Sequence, residues 1–499
     1  MNPYYRKLYA LLHDSENIEQ FHNVCNQVTG LQRHLDNLQN WWQQLEQHYQ
    51  ANPSSIAPQT LFQAIASSSD RINLKSKPPN SSNSVKIHHP ISGQSQSIPP
   101  LNRLTDEDIK TIQTICSQIA LTENPDNAAK KTFWWFWRFY PELIAQHQPN
   151  ALLFPAHKIL PDCPLHSYHS TVSALVGAIP DDWQIKQADK HPYLFLFTFS
   201  PVQEFIKASR KFVDFWAGSY LLHYLGAKIC WHIAQLYAPD AVITPSLWSQ
   251  EIIDALMVKE FDNPNQNYSP FGDSFKHYTP ETSDPVSQFT RGQSTSLSTA
   301  GFPNVITALV PGKKAAEELG NVLTQKLTEE WKAIAHQIRK HIKQQVKTWL
   351  ADPNNQEKRE AILQEFPEFD RNTCQDDLRK WQEGGCWEWH KLWDAQINNT
   401  WETYWTAVPL GNPDQELLIN KDNNGFPETW KQDQNAIAPS RGEQTIPTLA
   451  EEQAYDTLNI GTWWGNVQAR LGQLIQSVKN TRTWQIPIAP GERSTLSGQ

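Results

Sequence analysis

Two methionines and six cysteines in 499 residues leave this chain short of sulfur. The cysteines, at 25, 116, 163, 230, 374 and 386, form no CxxC pair and keep no regular spacing. That excludes a disulfide frame and a complete cysteine zinc site, and fits reduced thiols. No apolar run approaches the roughly 20 residues of a membrane-spanning helix. The first thirty residues also lack the basic-then-apolar order of a secretory signal. Positive charge is scarce as well: 43 Lys and Arg against 52 Asp and Glu give a net charge of -9. Nucleic acid cannot be held by bulk charge here, so any such contact must come from a local basic patch. A soluble, cytoplasmic protein with no membrane partner is the expectation.

What is present is aromatic. The chain is 39% hydrophobic and carries 21 Trp, so large rings supply much of the apolar area. Such rings serve cores, partner surfaces or base stacking, and composition does not separate these. The length suits two to four domains. Residues 1–74 read as a helical domain, with Leu8, Leu11 and Leu12 on one face. Residues 75–100 are dominated by Ser, Pro, Asn and Gly and read as a linker or long loop. A helical connecting region over 101–190 holds the run from Phe133 to Tyr140, whose rings are expected to pack a domain junction. A mixed unit over 191–350 follows, with strands predicted at 193–199, 241–244 and 304–310, a polar loop from Phe261 to Gly301 and a long helix from Ala315 to Leu350. The rest, 351–499, reads as a helical region, Trp-rich over 376–405. Strands separated by helices indicate an α/β or α+β class.

The most informative passage runs from Pro192 to Leu225. Every residue from Tyr193 to Phe199 except Thr198 is apolar, which suits a strand covered on both faces. Ser200 stands where a helix N-cap should, with Pro201 at the first helical position and Gln203 three residues after the cap. Val202, Phe205, Ile206, Ser209, Val213 and Trp216 then recur at helical spacing as a buried stripe, leaving Lys207, Arg210 and Lys211 outward. A strand feeding a helix in this way presents free N–H groups where a phosphate can sit. The same pattern also describes a capped helix that merely packs on a sheet.

The wording of the passage narrows this. Ser200-Pro201-Val202-Gln203, Phe205-Ile206, Ser209-Arg210-Lys211 and Asp214-Phe215-Trp216-Ala217-Gly218-Ser219-Tyr220-Leu221-Leu222 resemble a signature of the large subunit of the Cmr complex, the type III-B CRISPR effector. Ser200, Ser209 and Phe215 stand where the family has Gly, Ala and Leu. Upstream, Leu153 to Cys163, then His169 and Ser173-Ala174-Leu175, resemble a second segment of the same family. The resemblance implies a ferredoxin-like Palm domain for 191–350, similar to nucleotide cyclases and polymerases, behind an HD-like amino-terminal domain. It implies other Cmr-type subunits and guide RNA as partners, with target RNA and single-stranded DNA met through the complex.

Two chemistries come with that family. Leu11-Leu12-His13-Asp14 resembles the opening of its HD nuclease domain, although Ser15-Glu16 replaces the usual Pro-Pro. Adjacent His and Asp can share a divalent cation (Mn, Ni or Mg) that activates water on a phosphodiester, provided other residues complete the site. Asp70, in a segment similar to a later acidic stretch of that domain, is the candidate further ligand, with His22, His34 and Asp36 as others. A surface His beside a capping Asp is the competing reading. The second chemistry makes cyclic oligoadenylates from ATP and requires a Gly-Gly-Asp-Asp turn in a second Palm. Here Gly384-Gly385 is followed by Cys386-Trp387, so cyclic oligoadenylate synthesis is not expected from this chain alone. Pro490 to Gln499 looks like the approach to the family's zinc segment without its cysteines. The expectation is therefore a split or truncated large subunit that shares ATP with a separately encoded second Palm, Ser200, Gln203 and Ser219 being this half's contribution. A stand-alone metal-dependent phosphohydrolase and a non-catalytic interaction protein are the alternatives.

Overall fold

A computed structural model describes residues 2–12, 84–88, 92, 94–101, 104–156, 163–180, 188–262, 269–278, 301–365, 390–410 and 463–481. Along these run helices α1 (Pro3–Leu12), α2 (Asp106–Thr122), α3 (Pro125–His147), α4 (Leu165–Gly177), α5 (Val202–Lys207) and α6 (Phe212–Tyr237). They continue with α7 (Glu251–Phe261), α8 (Pro270–Tyr278), α9 (Gly312–Ala351), α10 (Gln356–Glu365), α11 (His390–Asn398) and α12 (Trp463–Asn480). The strands are β1 (Val85–His88), β2 (Ser95–Ile98), β3 (Pro192–Ser200), β4 (Val242–Thr244), β5 (Val305–Pro311) and β6 (Glu402–Pro409). The result is a mostly helical α+β protein with small antiparallel sheets.

The main sheet has the order β4-β5-β3-β6, every neighbouring pair antiparallel. With α6 between β3 and β4 and α9 between β5 and β6, the connectivity is β-α-β-β-α-β, the split β-α-β pattern. Side chains alternate across a strand, and β3 uses both faces. Tyr193, Phe195, Phe197 and Phe199 enter one core with α6 and α9, while Leu194 and Leu196 enter a second with α4 and Leu471 of α12. The near-continuous apolar run of β3 follows from this double burial.

Several elements differ from the sequence expectations. The loop predicted between Phe261 and Gly301 contains α8, which Asp262 holds by accepting N–H bonds from Phe271 (3.2 Å) and Gly272 (2.7 Å). The Trp-rich stretch expected to be helical to 405 turns into β6, the fourth strand of the sheet. Trp405 of β6 lies against α9 at Gly320, where a Cβ would overlap the indole, so this position needs glycine. Part of the 75–100 stretch read as linker is a hairpin, β1 paired with β2, whose Val85 and Ile98 bury against Phe154. The helix α1 is no detached element: Lys7 is buried and ion-paired with Asp240 (2.8 Å), and Ser173 Oγ donates to the Lys7 carbonyl (2.9 Å).

The aromatic run in α3 is core. Phe133, Trp134, Trp135, Phe136, Trp137 and Phe139 are at most 4% exposed, which leaves none of them free to stack on a base. Arg138, buried among them, makes two hydrogen bonds to Asp254 of α7 (2.9 and 3.0 Å) and lies over the Phe139, Trp248 and Phe275 rings. Among the described residues no helix is long and apolar enough to cross a membrane.

Candidate functional site: the open turn between β3 and α6

The expected serine cap does not form. Ser200 continues the strand ladder opposite Glu402, and the N-cap of α5 is Pro201, which has no side-chain oxygen to offer. The single helix expected from Val202 onward is also broken. α5 stops at Lys207, and α6 starts at Phe212 with the Asp214 carboxylate accepting the N–H of Lys211 (3.2 Å). An acid three residues into a helix satisfies a free donor and favours the positive end of its dipole.

The break rotates the apolar stripe. Val202, Phe205 and Ile206 still pack on the core, and the Phe205 ring meets Trp401 at 4.9 Å and Trp331 at 5.7 Å. Val213 and Trp216, expected to be buried with them, are 71% and 49% exposed, beside Phe212 at 81% and Phe215 at 49%. Lys207, Arg210 and Lys211 are exposed, as their spacing predicted. The turn thus presents four apolar side chains and three cations to the outside. Within that face, Phe212 stacks on Phe215 (6.4 Å, 21°) and Trp216 on Tyr220 (5.6 Å, 10°).

Gln203 is exposed, and Ser219 is half-buried with its hydroxyl donating to the Phe215 carbonyl (3.0 Å). The Ser219 proton is therefore committed to the helix, and its lone pairs remain. α5 and α6 approach through Phe205 against Gly218, which sets Gln203 and Ser219 on adjoining helices. His223, one turn further along α6, escaped the sequence reading. Its Nδ1 accepts the N–H groups of both Gly301 (2.7 Å) and Phe302 (2.9 Å), fixing the chain that enters β5. Two donors on one nitrogen require a neutral ring carrying its proton on Nε2, and burial pushes the pKa of His223 down in keeping with that. Nothing in a lone histidine within Leu-Leu-His-Tyr signals this role, because its partners lie 78 and 79 residues away.

His13, Asp14 and Asp70 lie outside the described residues, as do His22, His34, Asp36 and Gly384-Gly385. Among the described residues no group of three or more His, Cys, Asp or Glu could hold a metal ion. Two clefts occur elsewhere, one of about 350 Å³ beside Tyr4, Lys7 and Tyr237 and one of about 630 Å³ beside Tyr193, Glu317 and Trp405. Neither is lined by Ser200, Gln203 or Ser219. The turn's own apolar side chains face outward.

The unit built around this turn is also where a known family appears. Residues 194–336, from the second residue of β3 into α9, match the family described as CRISPR-associated protein Cmr2, N-terminal. The family read from the wording around Ser200 and Trp216 is the same one. No curated protein matches the chain. Among solved structures, a chain of the type III-B Cmr-beta apo state is similar over 70% of this chain and 31% of its own length, at 13% identity and TM-score 0.44. A chain of type III-B Cmr-beta bound to cognate target RNA is similar over 80% of this chain and 37% of its own, at 15% identity and TM-score 0.44. This chain thus spans about a third of the length of those Cmr-beta chains.

Proposed function

We propose that the protein is a large-subunit component of a type III CRISPR RNA-guided antiviral complex, acting inside the cell with other Cmr-type subunits and guide RNA. In this reading 191–350, completed by β6 at Glu402–Pro409, is a ferredoxin-like Palm and one side of an ATP cradle. The observation that carries it is that the Cmr2 match, residues 194–336, covers three of the four strands of the β-α-β-β-α-β unit together with the open turn. Ser200, Gln203 and Ser219 supply hydroxyl and amide groups there, Lys207, Arg210 and Lys211 supply charge for a triphosphate, and Trp216 with Tyr220 offers a flat aromatic face. The turn's own acids, Glu204 and Asp214, do not form the paired Asp-Asp of a Gly-Gly-Asp-Asp turn, and Asp214 is engaged with the Lys211 N–H (3.2 Å), so a second, separately encoded Palm provides the metal-carrying carboxylates. Affinity purification of the tagged chain from its native cell should recover a Gly-Gly-Asp-Asp protein together with guide RNA. Recovery of neither would overturn the proposal.

The same proposal assigns His13 and Asp14, with Asp70, to an HD-type centre that uses Mn, Ni or Mg on single-stranded DNA. What supports it is the anchoring of α1: Leu8, Leu11 and Leu12 are buried, so the chain reaches His13 from a helix fixed in the core. Purified protein should cut single-stranded DNA with manganese and lose that activity on Asp14→Ala without a change in melting temperature. Absence of cutting with all three metals removes this part and leaves the scaffold reading to the purification experiment.

A further inference from the structure

The carboxy-terminal half of α9 differs in charge from the rest of this acidic chain. From Lys332 to Leu350 the sequence holds Lys332, Arg339, Lys340, Lys343 and Lys347, with His336 and His341, and no Asp or Glu. At 3.6 residues per turn, Lys332, His336, Lys340 and Lys343 fall within about 80° of one face, in a row of roughly 16 Å. The side chains of Lys332, His336 and Lys340 are exposed and that of Lys343 is half-buried. Lysines in and beside the first half of α9 are neutralised, Lys314 by Glu318 (3.7 Å), Lys326 by Glu329 (2.6 Å) and Lys228 of α6 by Glu330 (3.2 Å). Among the described residues Lys340 and Lys343 make no such pair, while Lys332 lies one turn from Glu329 and helps Lys326 hold that carboxyl below its usual range.

We infer that this row is a binding surface for the phosphate backbone of a single-stranded nucleic acid. Charge complementarity selects the occupant: regularly spaced cations with no interleaved acid suit a polyanion, whereas the exposed turn at α6 mixes cations with Glu204 and Asp214. Away from the row Trp331 Nε1 bonds to Thr400 Oγ1 (3.0 Å), and Arg339, which flanks the row, sets its guanidinium over the Trp393 ring (5.5 Å). The apolar side of this half of α9 is only partly covered, since Ile338, Ile342 and Trp349 are 37–49% exposed, so an anionic lipid surface is the rival occupant that the vesicle comparison below decides. The inference does not depend on the nucleotide cradle or on a partner Palm.

Fluorescence anisotropy of the full chain with labelled single-stranded oligouridine, between about 50 and 200 mM salt, tests it. The wild type should bind with a steep salt dependence. Lys332→Gln with Lys340→Gln and Lys343→Gln should weaken binding at least about tenfold and flatten the log–log salt slope by about 2, three contacts at roughly 0.7 each. Removing the same charge at exposed Lys86, Lys110 and Lys259 should change affinity less than about twofold, since those residues do not share a face. Lys340→Glu alone, a single exposed change that leaves the fold intact, should weaken binding more than Lys340→Gln. Equal losses from the two triple variants, no binding by the wild type, or tighter binding to phosphatidylserine vesicles than to RNA would each overturn the assignment.

Discussion

Two aromatic runs in this protein have opposite fates. Phe133 to Phe139 in α3 and Phe212 to Trp216 at the start of α6 are both dense in rings, yet the first is at most 4% exposed and the second is 49–81% exposed at its apolar residues. The difference lies in their neighbours. In α3 the rings surround the helix and its one charged residue within the run, Arg138, finds Asp254, so the whole circumference can leave water. In α6 the run follows Arg210 and Lys211 and contains Asp214, all exposed, and a charged flank with no buried partner keeps the segment at the surface. Ring density alone therefore does not separate a core from an exposed face; the pairing of the interspersed charge does.

The comparison predicts large costs on the packed side. Arg138→Met leaves Asp254 buried without its partner and should lower unfolding free energy by about 3–5 kcal/mol in urea titration. Gly320→Ala comes next. An exposed helical glycine would gain up to about 1 kcal/mol from this change. Here the new Cβ overlaps Trp405, and a loss of about 1–3 kcal/mol is expected by thermal unfolding. His166 provides a pH-dependent contribution of intermediate size. Its half-buried ring lies on Trp248 (4.6 Å), and burial, helped by the nearby His169, pushes its pKa from 6.5 down to about 4. The unfolded chain binds a proton below pH 6.5 that the folded chain refuses, so stability should fall as pH drops from 6.5 toward 4. The loss is on the order of 2 kcal/mol, and His166→Gln should remove that slope from a series of melts. On the open side Phe212→Ala should change stability by no more than about 0.5 kcal/mol. A loss there as large as that of Arg138→Met would erase the contrast between the two runs.

Much of the central architecture was legible because it rests on local pattern. β3 announced its double burial through an unbroken apolar run, and β4, β5 and α9 fall within three residues of their predicted limits. What escaped depends on distant partners or on breaks without a marker. β6 reads as Trp-rich helix until β3 pairs with it, although Glu402-Thr-Tyr-Trp-Thr-Ala-Val carries the β-branched and aromatic residues of a strand. The gap between α5 and α6 spans Ala208 to Lys211, which contains neither Gly nor Pro, so the apolar spacing runs through it undisturbed. Serine before proline fits a cap, but the ladder to Glu402 claims Ser200 first. At the candidate site the outward cations were readable from spacing, while the exposure of Val213 and Trp216 and the clamp made by His223 were not.

The proposed function needs a second Palm at the open turn, and the exposed Phe212 to Trp216 face is the surface proposed to meet it. The most direct measurement is parallel affinity purification of the wild type and of a Phe212→Ala, Phe215→Ala, Trp216→Ala variant from the native cell, with bound proteins identified by mass spectrometry. The account predicts that the wild type retains a Gly-Gly-Asp-Asp protein, whereas the variant, with its melting temperature within a few degrees of wild type, loses it. Equal recovery of that protein by both chains would contradict the account.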